Sequence, residues 1–370
     1  MKHKLISVAL VTILLFMILG NGVGCGGGGG GGSYTLTVSG TAGGVVAVNG
    51  APIPGPTMFT FANGTVVNLT ATPNSGFRFV NWAATAGTLG NATAATTTFT
   101  MPSQNATVTA YFALGTLIAN VPDASQPPTN TLPTPIPTNF CAPIAMANIL
   151  EYWDDVANHA NAQNVTAGLI PETVAEYLGY FMDTNNMGSP ARANAGQLGT
   201  KDVDIAPGTL EFVSWSNVTI PVPAPPFPFP AGKLGYNWSV LTSCGVDYNA
   251  TLSLYRNEID NGRPLVVSFD YWNPVFGVNV TDPKTGELIS TYTWGANAGR
   301  SFPPDPEEYW TTGDIGHAVT GVGYILNWDP DGAGPIPSAD WVIVHDTWAT
   351  TPKNVAVPWA NWNCLHPVNL

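Results

Sequence analysis

The chain has 370 residues, a formal net charge of −13 and only 9% charged side chains. That length accommodates one sizeable domain and a smaller one. The acidic balance, with no basic cluster beyond the first four residues, excludes a nucleic-acid backbone as partner, and no C-x-x-C spacing marks a metal site, so no cofactor or metal is expected.

Lys2, His3 and Lys4 precede an apolar run from Leu5 to Leu19, followed by Asn21-Gly22-Val23-Gly24-Cys25 and glycines at 26–32. A basic start, an apolar stretch short for a membrane span and small residues at its end make an export signal. The segment resembles a bacterial lipoprotein signal. That resemblance implies a lipidated Cys25 as mature N-terminus and a membrane anchor there, with cleavage and secretion as the alternative. Residues 1–25 are then the signal and 26–33 a flexible glycine tether. With Cys25 lipidated, Cys141, Cys244 and Cys364 are left, an odd number in an oxidising compartment. A disulfide between Cys244 and Cys364 leaves Cys141 free; otherwise Cys141 is itself bridged, or is a small buried apolar residue.

From Tyr34 to Phe112 the sequence alternates in strand fashion, at Tyr34–Val38, Thr65–Thr72 and Ala106–Phe112, with turn residues at Asn63-Gly64 and Pro73-Asn74-Ser75-Gly76. This stretch holds no acid, histidine or cysteine, so it is a small all-β domain (34–114) without catalytic vocabulary. Its core, Thr70-Ala71-Thr72-Pro73-Asn74-Ser75-Gly76-Phe77-Arg78-Phe79-Val80-Asn81-Trp82, resembles the divergent internalin B-repeat of bacterial surface proteins. That resemblance implies a spacer or a surface-partner module. Residues 115–137, rich in proline, read as a semi-rigid linker or the strand that opens the next domain.

Helices first appear in the domain at 138–370. Cys141–Trp153 reads as an amphipathic helix with Ile144, Met146, Ile149, Leu150 and Trp153 on its apolar face and Pro143 in its first turn. Glu172–Met182 and Leu252–Asn261 follow, then strands at Leu265–Phe269, His317–Leu326 and Trp341–His345. Helices followed by a strand-rich half make an α+β arrangement.

A cysteine at a helix start meets unpaired N–H groups and a partial positive charge, which favour thiolate. His317 begins one strand and Asp346 ends another, at similar distances from the loop between them. Paired as an antiparallel hairpin, the two would lie across from one another at its open end, Asp346 fixing the imidazole tautomer while the ring faces Cys141 and His345 points the other way. Thiol, imidazole and carboxylate in that order are the parts of a nucleophile, a base and its orienter.

The segments Asn139–Ala147, Glu258–Ser268, Gly316–Tyr324 and Val344–Trp348 resemble a C39-like cysteine peptidase, a branch of the papain-like fold. The resemblance implies N-terminal helices and a C-terminal antiparallel sheet, a peptide or protein substrate, and Cys141, His317 and Asp346 as nucleophile, base and orienting acid. Val121-Pro122-Asp123-Ala124-Ser125-Gln126 is similar to the family's opening motif. It points to Gln126 as oxyanion donor if the proline-rich insertion loops out, with Asn139 the other amide candidate. The expected protein is an exported, surface-anchored or secreted cysteine peptidase. A catalytically inactive papain-like binding module, or a Cys-His-Asp transamidase or cell-wall amidase, is the alternative.

Asn327–Gly332 matches half of a calcium loop but lacks the closing acid, and reads as a hairpin loop. Pro221–Pro230 reads as a surface loop flanking the cleft, and His159 as a surface loop residue.

Overall fold

The computed structural model describes residues 32–126, 139–186, 199–220, 224–237, 239–240, 250–269, 272, 274–282, 287–294, 316–330, 339–359 and 362–369. The signal with Cys25, most of the glycine tether, Cys244 and the second half of the calcium-like loop lie outside them.

The first domain is built from β1 (Ser33–Gly40), β2 (Gly44–Val48), β3 (Ala51–Ile53), β4 (Thr57–Ala62), β5 (Val66–Pro73), β6 (Phe77–Ala84), β7 (Thr88–Leu89), β8 (Thr96–Thr100) and β9 (Ala106–Leu117). Period-two alternation is plain in β5 and β8, whose residues are buried and exposed in turn. One sheet runs β3-β2-β5-β8-β7; in the other, β1 lies between β4 and β9, and β6 flanks β9. Val38, Leu69, Trp82, Phe99 and Val108 share the apolar core of this domain.

The second domain begins with α1 (Cys141–Glu151), which continues as a π-helical turn at Tyr152–Val156, then α2 (Pro171–Phe181), α3 (Asp202–Ser214) and α4 (Leu252–Asp260). Its strands are β10 (Ser239–Val240), β11 (Leu265–Phe269), β12 (Pro274–Thr281), β13 (Leu288–Trp294), β14 (His317–Trp328), β15 (Ala339–His345), β16 (Asn354–Pro358) and β17 (Trp362–Asn369). They lie in the order β10-β17-β11-β14-β15-β16-β13-β12. The sheet is mixed rather than wholly antiparallel, because β13 pairs parallel with β16. These two strands are far apart in sequence, so no short hairpin dictates their relative direction.

α1 departs from the amphipathic expectation. Every residue from Ala142 to Leu150 is buried, as for a helix enclosed on all sides. Its one polar side chain there, Asn148, is fully buried and accepts from the Ala124 amide at 3.0 Å. α3, which carries Pro207-Gly208 in its interior, was not among the expected helices. Gly208 is a contact point: a Cβ there would sit 2.7 Å from Met182 at the end of α2. The end of α3 is held by Lys233, whose buried Nζ donates to Trp215 O at 2.9 Å. Phe227 and Phe229, from the proline-rich loop, pack on the aromatic cluster around Tyr177 and Trp215. His159 rests edge-on against Trp153.

The two domains share a sheet. β14 pairs with β11 through His317–Gly321 and then, on the same side, with the end of β9 through Gly323–Ile325. Gly323 permits this approach, since a Cβ would lie 2.6 Å from the Thr116 carbonyl. Arg78, the single charged residue between Tyr34 and Thr116, is buried and forms an ion pair with the buried Asp282 of the second domain.

Candidate active site

Cys141 is the first residue of α1 and a free cysteine, half-buried. The residue before it, Phe140, lacks a side-chain cap but is fixed from two directions. Its ring fills space left by Gly179 on α2, where a Cβ would come within 2.2 Å. Its N–H donates to Gln126 Oε1 at 3.0 Å.

Gln126 in turn is tied to the far side of the site. Its N–H donates to Thr347 O at 2.8 Å, and its Nε2 lies 3.4 Å from Thr347 Oγ1. Thr347 has φ +65°, a costly conformation for a β-branched residue, and turns the chain so that hydroxyl and carbonyl both meet Gln126. Asn139, the other amide candidate, supplies a left-handed residue (φ +95°) at the approach to α1.

His317 reaches the site from the first residue of β14. The next residue, Ala318, has its backbone N–H against the Cys141 thiol, together with the N–H groups of Cys141 and Ala142. The His317 Nε2 is 2.7 Å from the main-chain carbonyl of Asp346. This differs from the carboxylate contact expected. The cause is register: β14 and β15 pair Thr320 with His345, after shifts between Gly321 and Gly323 and between Ile325 and Trp328. Continued outward, that register faces His317 with Trp348 rather than Asp346. The Trp348 ring does lie 5.1 Å from the imidazole, with Trp272 at 4.9 Å from it. The Asp346 carboxylate turns away and accepts from Trp348 N–H at 3.1 Å and from the Thr351 hydroxyl. Tyr255 of α4 supports the first of these shifts, its hydroxyl donating to Gly323 O at 2.8 Å.

The start of α1 thus meets Gln126 through Phe140 and the Ala318 N–H through the Cys141 thiol, while His317, next to Ala318, is held by the main chain of Asp346. Residues 118–367 match the Peptidase_C39 like family. The chain belongs to that family. Residues 34–116 match the Divergent InlB B-repeat domain, so the peptidase-family domain follows one such repeat. No curated protein matches the chain.

Burial dominates the electrostatics of the C39-like site. It pushes the Cys141 thiol up, against the amides of Ala318, Ala142 and Cys141, with Asp202 adding to the rise. It holds His317 down to about 4, opposed by the Asp346 carbonyl. At neutral pH the pair is therefore thiol and neutral imidazole, and the helix start does not by itself produce a thiolate. With the ring neutral, the short contact to a carbonyl assigns the proton to Nε2 and leaves Nδ1 as the basic nitrogen. Asp346 is raised to about 6, by burial against its hydrogen bonds.

Three contributors escaped the sequence reading. Asp123, within the Val121–Gln126 motif, is raised to about 7, by burial and then by Asp346, with Lys353 opposing. Trp272 and Trp348 flank the His317 ring, and the approach of Trp348 follows from the β14–β15 register. His345 does point away from the site, its Nδ1 2.8 Å from Pro122 O.

Asp202, Cys364 and His366 bring donor atoms within 4.8 Å of one another. Cys364 is disulfide-bonded, which removes its sulfur as a thiolate ligand, and leaves Asp202 and His366 3.8 Å apart. Among the described residues no helix is long and apolar enough to cross a membrane.

Proposed function

We propose that the protein is a cysteine peptidase that cleaves peptide bonds through Cys141 and His317. On substrate entry the thiol proton passes to His317 Nδ1, the sulfur attacks the carbonyl carbon, and the imidazolium then protonates the leaving amine. Water hydrolyses the resulting thioester, with His317 again taking the proton. The Cys141 backbone N–H and Gln126 Nε2 receive the developing oxyanion. Asp346 orients His317 through its carbonyl. The observation that carries this reading is Gln126, which bonds to both Phe140 and Thr347 despite the proline-rich insertion between it and Cys141.

A thiol-directed electrophile should label the wild-type protein at Cys141, more slowly in His317→Ala and not in Cys141→Ala. Equal labelling rates in wild type and His317→Ala would remove the base from the account. The turned-away Asp346 carboxylate favours a second reading, a papain-like domain that binds peptides without turnover; product analysis on a peptide library separates the two. The same analysis on peptidoglycan separates a peptidase from a cell-wall amidase or transamidase.

The export signal and the B-repeat support a location at the bacterial surface, with lipid on Cys25 as anchor and the repeat facing a surface partner. A Cys25→Ser form that still fractionates with membranes would sink the anchor. The disulfide of Cys364 is assigned to Cys244 by the cysteine count.

A further inference from the structure

Gln126 lies at the end of residues 121–126, which belong to no helix or strand. Their backbone is instead tied at alternate positions. Pro122 O accepts from His345 Nδ1 at 2.8 Å, Ala124 N–H donates to Asn148 Oδ1 at 3.0 Å, and Gln126 N–H donates to Thr347 O at 2.8 Å. Two of these three ties come from buried side chains rather than from a sheet ladder. His345 is 1% exposed, at the end of β15 and adjacent to Asp346. Both ring nitrogens face acceptors, Nδ1 the Pro122 carbonyl at 2.8 Å and Nε2 the Asn354 Oδ1 at 3.2 Å. Burial lowers the pKa of His345 to about 4, so the neutral ring carries one N–H, and the shorter contact assigns that proton to Nδ1.

We propose that His345 is a positioning residue of the peptidase: its Nδ1–H holds the Pro122 carbonyl and so fixes the segment that presents Gln126 to the start of α1. The proposal rests on the reading of Gln126 as oxyanion donor. His345 touches neither the thiol nor the substrate. A histidine that merely fills the core would stabilise the fold without altering the transition state selectively, and this difference is measurable. Loss of the tie frees Gln126 Nε2 to leave the oxyanion, which lowers kcat with little change in KM.

The test uses the full chain as wild type, His345→Leu, His345→Asn, Gln126→Ala and the double variant His345→Leu/Gln126→Ala. Asparagine keeps a donor near the Nδ1 position, and leucine removes it. Peptide turnover should show kcat about 100-fold lower in His345→Leu, with KM within about threefold, and recovery to within about fivefold of wild type in His345→Asn. The double variant should be no slower than Gln126→Ala by more than about threefold, because both changes remove one interaction. Hydrogen exchange at the Ala124 and Gln126 amides should quicken about tenfold or more in His345→Leu while the amides of α2 hold. Unchanged exchange at those two amides overturns the proposal, whatever the activity does. Quickened exchange with multiplying effects on kcat overturns the route through Gln126. A wild type inert on peptides counts against the peptidase reading instead, and the exchange measurement alone then decides whether His345 holds the segment.

Discussion

With Nε2–H committed to the Asp346 carbonyl, the His317 tautomer does not depend on a carboxylate charge. Where a carboxylate orients the base directly, its amide replacement costs about 10⁴ in rate. Here Asp346→Asn should lower kcat less than about tenfold, since the main-chain contact survives and Asn Oδ1 still accepts from Trp348 N–H and Thr351; steady-state kinetics checks it. Asp123 and Asp346 give a second test. Burial raises them to about 7 and about 6, so the folded state keeps protons that the unfolded chain releases near pH 4. Their contribution to stability is full below about pH 4 and is lost as pH rises through the folded values. Asp123→Asn mimics the protonated form. Its Tm should equal wild type near pH 4 and exceed it increasingly up to about pH 7, then by a constant margin.

Among the elements, Gly179 marks how tightly α2 governs the position of Cys141. Gly179→Val would drive a side chain into the Phe140 ring and shift the first turn of α1. Overpacking of this kind costs about 1–3 kcal/mol, and urea unfolding together with Cys141 labelling should show both lost stability and lost reactivity. The helices α1, α2 and α4 were legible in the sequence because apolar spacing, with Pro143 and Pro171 in first turns, marks them there. α3 was not, since the contact that makes Gly208 necessary comes from Met182, distant in sequence. The strand that begins at His317 and the strand that ends just before Asp346 were legible, and their mutual register was not: bulges are set by partners such as Tyr255 on α4, and a difference of two residues puts Trp348 rather than Asp346 opposite His317. Gln126 was legible as a motif residue, but its bonds to Phe140 and Thr347 depend on a left-handed Thr347 that no local pattern announces.

At the scale of the whole molecule, the repeat and the peptidase domain are joined by β9 along β14 and by the repeat's only charge, Arg78, buried against Asp282. The repeat is thus continuous with the sheet of the C39-like domain rather than hung from a loose linker. Removing one member of a buried ion pair costs about 3–5 kcal/mol, so Arg78→Ala should lower Tm and, by calorimetry, split the single transition expected of wild type. Two independent transitions in wild type would contradict the shared sheet. The central claim concerns what the intact chain does to a peptide, and intact-mass measurement during turnover tests it most directly. Wild type should release amine and carry a peptide acyl adduct on Cys141 that disappears as substrate is exhausted, while Cys141→Ala shows neither product nor adduct. Cleavage that persists in Cys141→Ala, or peptide bound to wild type with no adduct and no product, would contradict it.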